Sequence, residues 1–193
     1  MNRRYAIKSV VVYGLAAVVV GSVFEVLKLN QKVDKDYIKS RKKLIEELAE
    51  LIIPATDTPG AREAGVADYI IYAVSENLSR KEAANFTGGL REVEGISKSR
   101  YKKSFIECSR DEKVAILMKV KKNESLIINN GLLQKAKNKF LGTSFFDMLK
   151  YLTVVGYCTS ELGATKGLAY VDIPVNFEPC VPLQPGQKCW ATK

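Results

Sequence analysis

Histidine is absent from all 193 residues, and this absence narrows the chemistry more than any residue present. Without an imidazole there is no Ser-His-Asp or Cys-His nucleophile pair, no histidine-ligated zinc and no Cys-x-x-Cys-His haem attachment. Neither G-x-G-x-x-G nor G-x-x-x-x-G-K-[ST] occurs, so the usual glycine-rich cradles for dinucleotide and nucleotide phosphates are missing. The four cysteines, at 108, 158, 180 and 189, fit neither a Cys-x-x-Cys zinc pattern nor an iron-sulfur ligand run. No cofactor, no metal and no catalytic residue are expected on this chain.

What is present is ordinary for a globular protein, 47% hydrophobic and 26% charged, with a formal net charge of +9. Nothing in that composition suggests disorder or a multi-span membrane protein. The lysines at 42, 43, 102, 103, 119, 121 and 122 sit in short clusters beside acids and lack interleaved aromatic stacking positions. Nucleic-acid binding is therefore not expected. The length implies one domain, and a body of about 160 residues buries roughly 70% of its unfolded surface without staples.

Residues 1–29 have the layout of an export signal or anchor. Arg3 and Arg4 precede an apolar run from Val10 to Phe24, and the pair resembles the twin-arginine motif, although Ala6 stands where that motif prefers a large apolar residue. A general secretory signal is the competing reading. The run is short for a full span, and no Ala-x-Ala cleavage site is obvious before Glu25. The expected location is the periplasm or the periplasmic face of the inner membrane, with membrane contact only through this segment.

The body, 34–193, reads as mainly α: a small bundle of about five helices with a long irregular tail from about 156. Asp34 or Asp36 is a helix N-cap, followed by an apolar stripe of Ile38, Leu44, Leu48, Leu51 and Ile52. On that helix Glu46, Glu47 and Glu50 are expected to face water. Capping boxes at Ser79–Glu82 and Ser109–Glu112 open two more helices. Gly88-Gly89 marks either close packing or a break, and 132–140 a short helical piece ending at Gly142. Thr143 or Ser144 caps a last helix, apolar nearly all round and so expected at the centre of the bundle. From Gly156 onward glycines and prolines leave no room for a long helix, though Leu168–Ile173 could pair as a strand. Cys180 and Cys189 bracket a turn-rich stretch and are the natural disulfide pair of an exported chain, while Cys108 and Cys158 read as small buried apolar residues.

The chain is organised around Leu51–Ile71, a helix end, a stiff loop and a helix start. Pro54 closes the preceding helix, Pro59-Gly60 form a turn, and Asp57 and Thr58 can bond the local backbone. The run Ile-Pro-Ala-Thr-Asp-Thr-Pro-Gly-Ala, with Ala-Gly-Val after it, resembles the gluconate 2-dehydrogenase subunit 3 family. So does a second run: Phe145-Phe146, then Thr153 through Thr165, then Gly167-Leu168-Ala169-Tyr170. The resemblance implies a non-catalytic small subunit of a periplasmic dehydrogenase of the glucose-methanol-choline type. FAD would sit on the large partner subunit, and haem c on a cytochrome c subunit that takes the electrons onward.

The surface expected to bind that partner comprises Thr56, Asp57, Thr58, Pro59 and Gly60 with Tyr157, Thr159, Ser160, Glu161, Tyr170 and Trp190, since aromatics in irregular chain make good anchors. Two other classes compete. A free-standing glycosidase would use carboxylates such as Asp57, Asp68 and Glu161, but acids in structured loops are more commonly caps and turn formers. A membrane-tethered envelope scaffold or solute-binding protein would share the signal and the bundle.

Overall fold

Four of the six α-helices among the described residues begin where the sequence places a capping side chain, at Asp34, Ser79, Ser109 and Ser144. The computed structural model describes residues 34–125, 142–173, 180, 182–183 and 185–191; the Arg3-Arg4 pair, the Val10–Phe24 run and the helical piece expected over 132–140 lie outside the described residues. Asp34 accepts the backbone N–H of Tyr37 at 2.9 Å and starts α1 (Lys35–Ser40). After a break at Arg41, α2 runs Lys42–Ile52. The single first helix expected from the apolar stripe is thus two, with Ile38, Leu44 and Leu48 fully buried across both.

The loop after α2 leads into α3 (Val66–Tyr72), which a π-helical turn, Ala73–Asn77, prolongs. Ser79 and Glu82 form both halves of a capping box for α4 (Arg80–Tyr101). That helix passes unbroken through Gly88-Gly89. A Cβ on Gly89 would collide with the ring of Phe145, so close packing explains this glycine, whereas nothing lies within 4 Å of a Cβ at Gly88. A short 3-10 turn (Phe105–Glu107) precedes α5 (Arg110–Ser125), capped reciprocally by Ser109 and Glu112.

Ser144 caps α6 (Phe145–Thr159) through the N–H of Asp147. Glu124, near the end of α5, adds a second cap by accepting the N–H groups of Phe145 at 2.7 Å and Phe146 at 3.2 Å. Burial of Glu124 is the main cause that raises its carboxyl above the ordinary range, against the lowering effect of those two bonds. As its composition implies, α6 is central and packs on α2, α3, α4 and α5, although Tyr151 and Val154 remain exposed. It continues three residues past Gly156 rather than stopping there. One end of α6 meets Val66 and Tyr69 at Gly156, and the residues before its other end bond Glu82 and Asn85. It therefore runs antiparallel to α3. Phe86, Leu90, Phe105, Ile116, Phe145 and Leu149 fill the core between the helices. Each such side chain contributes about 1.5–3 kcal/mol relative to exposure.

Candidate functional site

The 53–62 loop is closed by one carboxylate. Glu50, on the last turn of α2, accepts the N–H of Ala55 with one oxygen and the N–H of Arg62 with the other, both at 2.9 Å. Ile53 accepts the N–H of Ala61 at 2.9 Å across the base of the loop. A Cβ on Gly60 would lie 2.5 Å from Glu50 Oε1 and 2.7 Å from the Ala55 nitrogen. Glycine is required here for space. The turn itself falls at 61–65, ending on Gly65 in the left-handed region, and not at Pro59-Gly60.

Two of the three glutamates expected to face water, Glu47 and Glu50, therefore hold structure instead. Glu47 pairs with Arg62 at 2.7 Å and with Lys113 of α5 at 2.9 Å, and Lys113 is only 12% exposed. Between these groups lies a surface cleft of about 210 Å³, lined by Glu47, Glu50, Leu51, Pro54, Ala55, Arg110 and Lys113. Sequence reasoning missed Glu47, Glu50 and Arg62 because their partners are fixed by the loop's path and not by helical spacing.

Tyr157 joins the two signature segments. Buried at 7% exposure, it donates its hydroxyl to the Pro59 carbonyl at 2.8 Å. Small residues make room around it: a Cβ on Gly167 would lie 2.7 Å from the Tyr157 hydroxyl, and one on Gly156 would lie 2.7 Å from the Tyr69 ring. Ser160 donates to the Tyr157 carbonyl at 2.7 Å and accepts the N–H of Gly163 at 3.0 Å, which starts the π-helical turn Gly163–Gly167. Thr159 bonds back to the Val155 carbonyl, and Glu161 is exposed.

The tail returns to the same end of the molecule. Ala169 donates its N–H to the Cys189 carbonyl and accepts that of Ala191, both at 2.8 Å, giving one parallel bridge between Ala169 and Trp190. This bridge is all the pairing that the Leu168–Ile173 run makes among the described residues. Lys188 donates to the Lys166 carbonyl at 2.8 Å. Asp57 is held below its ordinary range first by the Thr56 hydroxyl bond, and also by the charge of Lys188, so the tail reaches the loop electrostatically. Tyr170, pushed above the usual phenol range by its bond to Asp172, is exposed, as are Val171, Leu183 and Trp190.

Cys180 and Cys189, expected as a disulfide pair, are both exposed free thiols in this structure. Cys108 is buried beside Ser97 at 3.2 Å, while Cys158 is only partly buried. Asp68 pairs with Lys42 at 2.6 Å and, among the described residues, shares no partner with Asp57 or Glu161. The three carboxylates of the glycosidase alternative are thus not joined into one network. Among the described residues no group of three or more His, Cys, Asp or Glu side chains is placed to hold a metal ion, and no helix is long and apolar enough to cross a membrane.

Among the described residues, fold and surface define a small helical protein in which a braced loop, the end of α6 and a tail segment meet. The chain belongs to the gluconate 2-dehydrogenase subunit 3 family, whose model matches residues 39–176 and so includes both signature segments. As a member it fits an auxiliary subunit of an oxidoreductase complex. No curated protein and no solved structure matches it.

Proposed function

We propose that this chain is the non-catalytic stabilising partner and export escort of an FAD-dependent dehydrogenase acting on gluconate or a related sugar at the periplasmic face of the inner membrane. The observation that carries this reading is the Tyr157–Pro59 bond. It spans 98 positions to bring the two family segments together, beside a tail whose Trp190 is 56% exposed. A loop braced by Glu50 and a half-exposed aromatic beside it supply what a protein interface needs at its centre, a rigid frame and an anchor.

The escort role follows from cofactor chemistry. FAD is made in the cytoplasm, so a flavoprotein folds there and needs a route for folded cargo. The twin-arginine route is such a route, and the Arg3-Arg4 pair of this chain supplies its signal to a partner that lacks one. A cytochrome c subunit would then accept the electrons.

Deleting the gene should leave the flavoprotein in the cytoplasm, and replacing Arg3 and Arg4 by lysine should do the same with the complex intact. If the flavoprotein is exported and fully active in cells lacking this chain, the escort reading fails and the tethered envelope scaffold takes its place.

A further inference from the structure

We propose that the cleft between α2, the Pro54-Ala55 bend and the start of α5 receives an acidic side chain of the dehydrogenase subunit, with Arg110 as its counter-ion. This inference rests on the subunit reading above and names a second contact, whose lining does not include Tyr157. The cleft is smaller than the 300–1,000 Å³ typical of small-molecule pockets, and at about 210 Å³ it admits a side chain rather than a cofactor.

The charges in the cleft are unevenly used. Both oxygens of Glu50 are engaged by backbone N–H groups, and both of Glu47 by Arg62 and Lys113. Arg110 is exposed on the rim and forms no ion pair among the described residues. Its position gives it no local reward, because a helix N-terminus favours acids, as at Asp111 and Glu112 beside it, and disfavours a cation. Leu51, Pro54 and Ala55 give the cleft an apolar floor, which would cover the methylene stem of an inserted aspartate or glutamate.

The chain that runs into Arg110 carries the same sign. From Lys98 to Arg110 there are five basic residues and one acid, Glu107, whose carboxylate already accepts the N–H of Ser104. Lys98, Arg100, Lys102 and Lys103 are exposed and form no ion pair among the described residues. Lys102 even takes a left-handed conformation, φ 58°, where glycine would be free of strain. Ile106, 41% exposed, lies within this basic run. Such a field steers an acidic partner toward the cleft and speeds association. A concave cleft with a single free guanidinium suits a projecting carboxylate better than the flat face of an anionic membrane.

The test uses the full chain, tagged and co-expressed with its flavoprotein. Arg110→Glu should weaken retention of the flavoprotein by about tenfold or more, Lys102→Glu/Lys103→Glu should slow association, and both effects should shrink as salt rises from about 0.1 M to about 1 M. Lys39→Glu/Lys43→Glu, an equal charge change on α1 and α2, should stay within about twofold of wild type. Arg110→Lys should recover part of the loss. If wild type holds the flavoprotein and Arg110→Glu holds it as well, or the α1–α2 variant loses as much, the cleft is not the contact. If wild type itself retains no flavoprotein, the subunit reading fails and this inference falls with it. Sedimentation with phosphatidylglycerol vesicles that Lys102→Glu/Lys103→Glu abolishes, while the complex is unaffected, would assign the basic turn to a membrane and overturn the proposal.

Discussion

Single carboxylates decide two of the junctions in this protein. Glu50 takes two backbone N–H groups that the loop's path leaves without other partners, and hydrogen bonds to a charged group contribute about 1.5–3 kcal/mol. Glu50→Ala is expected to destabilise the fold by about 2–3 kcal/mol, seen as a lower urea midpoint with an unchanged slope. A shift of only a few tenths would mean water replaces the carboxylate without cost. Glu124 works with the opposite sign of pH dependence from an ordinary paired acid. Its native carboxyl holds its proton more tightly than the unfolded chain does, mainly through burial. Its contribution is therefore complete below the ordinary Glu value of about 4.3 and is lost as pH rises through the raised native value. Urea midpoints of wild type and Glu124→Gln, compared at acid and neutral pH, should shift in favour of the variant as pH rises. A difference that stays constant with pH would show that the carboxyl titrates alike in both states.

At the scale of elements, α4 and α6 show how two adjacent glycines serve different ends. Gly89 lets the backbone of α4 approach Phe145, whose ring also packs on Phe86 with centroids 5.2 Å apart. Gly88, one residue earlier, faces open space. Gly88→Ala should stabilise by about 0.5–1 kcal/mol through helix propensity alone, and Gly89→Ala should destabilise by about 1–3 kcal/mol or more through overpacking. Thermal melts of the two variants must move in opposite directions. If both rise, α6 is free to shift away and the packing is looser than the structure shows. The pair also explains why the sequence left a choice between a break and close packing. A Gly-Gly step weakens a helix in isolation, and only the approach of a second helix shows which residue is needed.

For the whole molecule, the described part of the tail meets the body through the bridge at Ala169 and the Lys188 bond to the Lys166 carbonyl. Trp190 is half-exposed and not part of the core, so Trp190→Ala should change folding stability by no more than about 0.5 kcal/mol. If the tail anchors the dehydrogenase, the same substitution should weaken the complex by about 2 kcal/mol or more, read by titration of the purified subunits. Unchanged affinity would remove Trp190 from the interface and leave the braced loop as the contact.

The sequence by itself determined the helical class and four of the helix starts, because caps such as Asp34, Ser79, Ser109 and Ser144 act within one turn and apolar periodicity acts within one helix, whereas the break at Arg41 and the start of α3 after Gly65 carry no side-chain cap. It also determined the family, since both signature runs are contiguous. Only the tertiary structure decided what those runs are for one another. The Tyr157 hydroxyl and the Pro59 carbonyl lie 98 positions apart, and no local pattern marks such a pair. The glutamates of α2 show the same limit from the other side. A carboxylate on the outer row of a helix has the same spacing whether water or a backbone N–H fills its lone pairs, so the path of the following loop, and not the helix, made Glu47 and Glu50 structural.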